Sequence, residues 1–368
     1  MRVCAHVGFG GRPVDRVRSV IVKARTRTLE YEPRQSPETD WSAYDAAMTR
    51  ELPDVLRLIR RFVDVAVENL GAPEPAVRPM GRPTTPPADV AKVLLAQAYL
   101  GKANRVAQGF GDAFGPRLGI RASFSYKTIE RGYENPAVRL ILHEVFRLTN
   151  IPVQGLERVF STDGSGMVTS VRDHYAGARS RQRATDRGQG AWPSAHAPRV
   201  YNVAVIGVKY KLLAAWRPTA DAHHKELAQF PHVFQQALEN HPDMEMILGD
   251  GLYAGRPQVA LVAKAGVTPR FLPRRNVTLK RLGVDAWVTM LMDMVRDPQH
   301  WFWDYHARSI SESGFSVIND GVRIRKRLDH RKRTESFLEG VVYNLRRLAQ
   351  LRYLVNLAPL PFEDSCAC

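Results

Sequence analysis

The clearest periodic stretch lies at Glu51–Leu70, where Leu52, Val55, Leu56, Ile59, Phe62, Val63 and Leu70 recur at close to helical spacing. From Ala88 to Asn150 the pattern predicts helices throughout. One runs from Asp89 to Leu100 and stops at Gly101; a second covers Asn104–Phe114 and ends at Gly115-Pro116. Ser125 caps a short helix through Tyr133, and Asn135-Pro136 opens a fourth that ends near Thr149. Gly71–Pro87 carries six prolines in seventeen residues, which suits a linker and no regular element. Residues 1–50 mix basic stretches with loop-like sequence and give no clear period.

Beyond Asn150 the period changes. Leu156–Thr162 reads as a strand running into Asp163-Gly164-Ser165-Gly166, and residues 167–198 are polar and irregular. Arg199–Val208 and Tyr210–Trp216 form a strand pair turning at Gly207. A helix at Pro231–Asn240, a strand at Met244–Leu248 leading into Gly249-Asp250-Gly251, a helix at Pro257–Ala265 and a strand at Thr268–Leu272 follow. Val284–Ile318 is mostly helical, with a break at Asp297-Pro298. Three strands in an antiparallel run, then helix, strand, helix, strand, helix, is the order of a ribonuclease-H-like α/β fold with a mixed five-stranded sheet and flanking helices. The expected layout is residues 1–87 as a leading region with one helix and the linker, 88–150 as an all-helical region, 151–350 as the α/β domain and 351–368 as a tail. The helical region suits a helix-turn-helix reader of DNA or a plain bundle.

Charge narrows the partners. Lys plus Arg is 53 against 37 Asp plus Glu, a net charge of +16, and such a field attracts polyanions, nucleic acid first. There is neither an apolar run long enough to cross a bilayer nor an amphipathic basic helix for a membrane surface. The first residues lack the apolar segment of a secretory signal, so the expected setting is cytoplasmic and nucleoid-associated. Cys4, Cys366 and Cys368 form neither a disulfide framework nor a zinc set, and Cys4 with His6 is too small a group to bind zinc alone.

In the predicted order the first and fourth strands are neighbours at the sheet centre. Asp163 and Asp250 follow those strands and Glu312 sits on the helix after the fifth, so three carboxylates far apart in sequence can converge. Crowded carboxylates need a compensating cation, and hard oxygen ligands select Mg²⁺ or Mn²⁺. Two such ions would activate an attacking hydroxyl and stabilise a leaving 3′ oxygen without any protein nucleophile. Singly, each carboxylate also reads as a turn residue or a solvated helix residue.

These residues resemble DDE transposases of bacterial and archaeal insertion sequences. The group in question carries a Tyr-x2-Arg-x3-Glu-x6-Lys signature, and YHARSISESGFSVIN supplies Tyr305, Arg308 and Glu312 at those spacings, with Asn319 where the lysine is due. FSTDGSG and ILGDGLYAG are similar to the first and second acidic motifs, the latter with Tyr253. VYNVAVIGVKYKLLAAWRPTADAHH, GVTPRFLPRRN and RTESFLEGVVYNLRRL are similar to the flanking strands and closing helix, so the likeness covers about residues 88–350. It implies Asp163, Asp250 and Glu312 as catalytic residues and ligands of two Mg²⁺ or Mn²⁺ ions. Tyr305 and Arg308 would contact DNA phosphate near the scissile bond; the alternative is a core tyrosine and an Arg308–Glu312 helical ion pair. The absent lysine leaves the phosphate clamp to Asn319 or to Lys326, Arg325 or Arg323 from the next loop. Arg323–Arg333, with seven Lys/Arg in eleven residues, and Arg274 with Arg275 are further backbone contacts or solvated loops. Trp301, Phe302 and Trp303 read as core, and His223 and His224 as structural or surface residues. The implied partners are the terminal inverted repeats and target DNA, bound by a homodimer, with no membrane. Two alternatives stand beside strand transfer: a nuclease of the same fold that only hydrolyses, and a transposase-derived DNA-binding protein without catalysis.

Overall fold

The structure is a computed structural model describing residues 13–25, 38–71, 85–120, 123, 125–169, 199–219, 226–320 and 322–357. The polar segment 170–198, most of the proline-rich linker, His6, His223, His224 and the three cysteines lie outside the described residues.

The helices open with α1 (Pro13–Arg25) and α2 (Trp41–Leu70), both in or reaching into the stretch without a clear period. Helix α2 starts ten residues earlier than the apolar spacing indicates. Asp40 caps it, its side chain accepting the Ala43 amide, and Gly71 closes it in the left-handed region at φ 55°. Next come α3 (Pro87–Tyr99), α4 (Asn104–Leu118), α5 (Tyr126–Gly132) and α6 (Pro136–Leu148). Helix α4 passes through Gly115-Pro116 and stops only at Gly119, with φ 70°.

The sheet contains β1 (Val159–Val168), β2 (Arg199–Gly207), β3 (Leu213–Thr219), β4 (Met246–Gly249) and β5 (Thr268–Phe271) in the order β3-β2-β1-β4-β5. Pairs β1–β2 and β2–β3 are antiparallel, and β1–β4 and β4–β5 are parallel. This mixed sheet is compatible with a ribonuclease-H-like domain. Strand β1 does not end at Thr162 as the sequence suggests: Asp163–Gly166 stay in it, paired with β2 as far as Val168. The β2–β3 turn occupies residues 208–212, Lys211 having φ 62°, so β3 begins later than Tyr210. Helices α7 (Glu226–Asn240), α8 (Arg256–Lys264), α9 (Asp285–Arg296), α10 (Pro298–His306), α11 (Ser309–Asn319) and α12 (Asp329–Leu354) complete the described chain. Helix α12 takes in the first residues of the expected tail.

Strand alternation sends the sheet's two faces into two cores. Phe160, Val203 and Val205 meet Phe230, Val233 and Phe234 of α7, together with α1, α8, α9 and α10. Met167, Ala204, Ile206 and Trp216 join α11, α12 and the helices α2–α6 in one continuous apolar cluster. Buried Glu51 of α2 fastens that junction, accepting Arg346 Nε and Gln350 Nε2 of α12 at 2.9 Å each. No helix among the described residues is long and apolar enough to cross a membrane.

Candidate active site

Strands β1 and β4 are in register from Val159↔Met246 to Thr162↔Gly249. The next residue on each is an aspartate, so Asp163 and Asp250 flank the point where the chains part. Parallel neighbours lie about 4.8 Å apart, and beyond Gly249 only β1 continues. The two aspartates therefore face the crevice that opens at the carboxyl end of the central parallel pair. Asp163 Oδ1 accepts the Gly164 amide at 2.9 Å and Asp250 Oδ1 accepts the Leu252 amide at 2.7 Å, which orients both carboxylates.

Glu312 arrives on α11, which lies against the same face of β1 as Ser161, Asp163 and Ser165. Close approach is possible because residue 314 is glycine: a Cβ there would stand 2.6 Å from Ile206 Cδ1. Along this face Ser161 Oγ meets Ser311 Oγ at 2.8 Å, and Asn319 Nδ2 donates to Ser165 Oγ at 2.9 Å. Between them Arg308 donates to Asp163 Oδ2 at 3.2 Å and to Glu312 Oε1 at 3.0 Å. Tyr305, Arg308 and Glu312 do not share one unbroken helix, as their spacing suggests. Helix α10 ends at His306 and α11 starts at Ser309, with a tight turn carrying i→i−3 bonds at Ala307, Arg308, Ile310 and Ser311. The Arg308 carbonyl there accepts Ser311 Oγ at 2.7 Å, and the turn aims the guanidinium at β1.

Burial raises the Asp163 carboxyl; the Gly164 amide and Arg308 oppose that rise, while Asp250 and Glu312 add to it. Burial works against the Arg308 charge, yet Tyr305, Asp163, Glu312 and Asp250 together hold its guanidinium above the ordinary arginine value. The three carboxylates thus form one electrostatic unit, with Arg308 as its internal cation. Among the described residues no three His, Cys, Asp or Glu side chains gather tightly enough to cage a metal ion unaided. Mg²⁺ is normally held by only one or two carboxylates plus water and substrate phosphates. Asp163 and Asp250 suit that role, with the more open Glu312, 66% exposed, linked through Arg308.

Sequence reasoning singled out Tyr253 but missed its partner Glu226, on the opposite face of β1. Fully buried Tyr253, in the turn after Asp250, donates its hydroxyl to Glu226 Oε1 at 2.5 Å. The Glu226 carboxylate lies against Gly164, where a Cβ would come within 2.4 Å of it. Glu226 at the start of α7 thereby ties the Asp163 strand to the Asp250 turn. The one signal in the chain was a glycine beside an aspartate inside a strand, which marks close approach by another group.

The other candidates are placed as follows. Tyr305 is buried, stacked on Trp301 with centroids 5.4 Å apart, and its ring centroid is 6.0 Å from Arg308 Cζ. Trp301 and Phe302 are core; Trp303 is partly exposed and stacks on His300. Asn319 is close to the site through Ser165, and its buried Oδ1 has no hydrogen-bond partner among the described residues. Arg274 reaches the Gly251 carbonyl at 3.4 Å beside Asp250, and Arg275 is exposed next to it. Arg325 donates to the Gly101 carbonyl at 2.9 Å. Lys326 is not at the surface: it is buried against Tyr133 and paired with Glu130 at 2.6 Å, joining α5 to the segment before α12.

No family model matches the chain. Across 349 residues, 92% of this chain and 98% of the other protein, it is 25% identical to the probable transposase for insertion sequence element ISA1214 of Archaeoglobus fulgidus.

Proposed function

We propose that the chain is a DDE-type transposase that cuts and joins DNA at the ends of its own insertion sequence. One observation carries the reading: Asp163 and Asp250 stand one register step beyond the last paired residues of the central parallel strands, with Glu312 tied to Asp163 through Arg308. The similarity to a probable insertion-sequence transposase and the net charge of +16 support DNA as the substrate.

Two Mg²⁺ or Mn²⁺ ions held by Asp163, Asp250 and Glu312 would supply Lewis acidity to the attacking hydroxyl and the leaving 3′ oxygen. The chain's own residues position the substrate. The backbone amides of Gly164 and Leu252 fix the aspartates, Arg308 places a charge beside the scissile phosphate, and Arg274 and Arg275 flank the Asp250 turn. A homodimer follows from the need to hold two ends together. A second reading, DNA binding without cleavage, is favoured by a single feature: Arg308 already pairs with both Asp163 and Glu312.

The test is incubation of purified protein with DNA carrying the element's flanks and Mg²⁺. Asp163→Asn, Asp250→Asn and Glu312→Gln should each abolish cleavage while DNA affinity is kept or slightly raised. Products that are cut but never joined would favour the hydrolytic nuclease. Undiminished cleavage by Asp250→Asn would remove the carboxylate assignment altogether.

A further inference from the structure

A groove of about 690 Å³ runs beside edge strand β3, between α6, α7 and the start of α12. Arg139, Arg217 and Arg333 line it from three different elements, together with His143, His232 and His330. All six are exposed. None of the three arginines forms an ion pair among the described residues; Arg217 donates only to the neutral Gln229 amide, at 2.7 Å. The carboxylate in the lining, Asp329, already holds Lys332 at 3.4 Å, and His330 faces Glu134 at 3.1 Å. Three guanidiniums with uncompensated charge around one groove repel each other unless an anion enters. The His143 ring, packed at a tilt against Phe337 with centroids 4.3 Å apart, registers this field: desolvation lowers its pKa, and Arg139 and Arg217 lower it further.

We infer that this groove is a second DNA-binding surface, holding the phosphate backbone of duplex away from the carboxylates. Arginine forks pair with phosphate oxygens two at a time, and three elements of the fold carry them around this one groove. Position allows one duplex to reach both the active site and the groove around the sheet edge. Gly164 pairs with Val203 and Val203 with Arg217, so Arg217 lies two strands from the Asp163 strand at the same level, on the edge strand and on the face opposite the Asp163 side chain. Two strand spacings are about 10 Å, well inside one turn of duplex, about 34 Å. The inference uses DNA as partner, which the proposed function also assumes, but not the carboxylate chemistry.

The experiment measures anisotropy of a labelled duplex of unrelated sequence with the full chain in EDTA, from about 50 to about 200 mM salt. The variant Arg139→Ala/Arg217→Ala/Arg333→Ala is compared with Lys264→Ala/Arg281→Ala/Arg296→Ala, which removes equal charge from α8 and the region of α9. Each arginine that contacts phosphate should take about 0.9 from the slope of log K against log salt. The groove variant should therefore lose more than two units of slope and at least tenfold in affinity at low salt, and the control far less. Equal losses in both variants, or a groove variant that binds as wild type does, would overturn the inference. Because no metal is present, a cleavage-dead protein that still shows the groove effect separates failure of the catalytic reading from failure of this one.

Discussion

Alanine at position 164 probes how the two aspartates are held together. Its Cβ would stand 2.4 Å from Glu226 Cδ and Oε2 and 2.7 Å from Oε1. What must move is the free end of a flexible side chain and not backbone, so the fold should survive and the carboxylate should swing away. The cost is the Tyr253–Glu226 bond, which is charge-assisted and stabilises by about 1.5–3 kcal/mol. Tyr253 is fully buried, so its hydroxyl would lose its carboxylate partner and keep only the Thr162 side chain beside it. Stability should fall by about 1–3 kcal/mol, read as a lower urea midpoint at unchanged slope. The functional loss should be larger. Tyr253 anchors the turn that begins at Asp250, its amide donating to the Asp250 carbonyl at 3.2 Å. A displacement of about 1 Å at a reacting group can cost about a hundredfold in rate. Single-turnover cleavage of end-containing DNA with Mg²⁺ measures this. Tyr253→Phe removes the same bond without a clash and should lose rate comparably, and Gly164→Ala/Tyr253→Phe should lose little more than either alone. Wild-type cleavage by Gly164→Ala, or fully additive losses in the double variant, would refute the idea that Glu226 positions the site.

Three further outcomes are expected. Asn319→Lys should leave cleavage unchanged or raise it, because the side chain at 319 points at Ser165, two residues beyond Asp163 on one face of β1; loss of cleavage in a folded protein would show that this position is not a vacant phosphate clamp. Lys326→Ala should lower the urea midpoint by about 1–3 kcal/mol of stability, since Glu130 keeps Arg331 at 2.7 Å but loses its buried partner. The same variant should leave the salt slope of DNA binding untouched, and a drop of one unit would instead place Lys326 on phosphate. Burial, aided by Glu335, pushes the Glu339 carboxyl from 4.5 up to about 8. The native state then holds a proton that the unfolded chain releases, so the contribution of Glu339 to stability is full below about pH 4.5 and is lost as pH rises towards 8, by up to about 1.4 kcal/mol per pH unit. Glu339→Gln should flatten that decline in urea titrations across the window, and an unchanged pH slope would locate the titration elsewhere.

By itself the sequence determined most of the elements beyond residue 50 and their order, but not α1 or the start of α2. Apolar spacing in α2, the apolar run of β2 and the cap at Asn135 are local signals, and each depends on a few adjacent residues and the backbone preferences they set. Order then implied that β1 and β4 are neighbours, and with that the meeting of Asp163 and Asp250. Other features were invisible because they depend on contacts between residues far apart in the chain. Strand β1 continues through Asp163 to Val168 only because β2 supplies hydrogen-bond partners for a stretch rich in glycine and serine. Pro53 and Pro116 sit inside helices whose packing outweighs a lost hydrogen bond. The helical spacing of Tyr305, Arg308 and Glu312 hid the turn at Ala307, which is held by a serine of β1 as well as by local bonds. Lys326, in the middle of a basic run, looked like a surface cation; burial against Tyr133 and Glu130 removes it from solvent. Glu226 and the groove arginines show the same limit. Position 226 meets positions 164 and 253, and Arg139, Arg217 and Arg333 come together, only when sheet and helices pack, since electrostatic and steric neighbours are set by distance in space and not by separation along the chain.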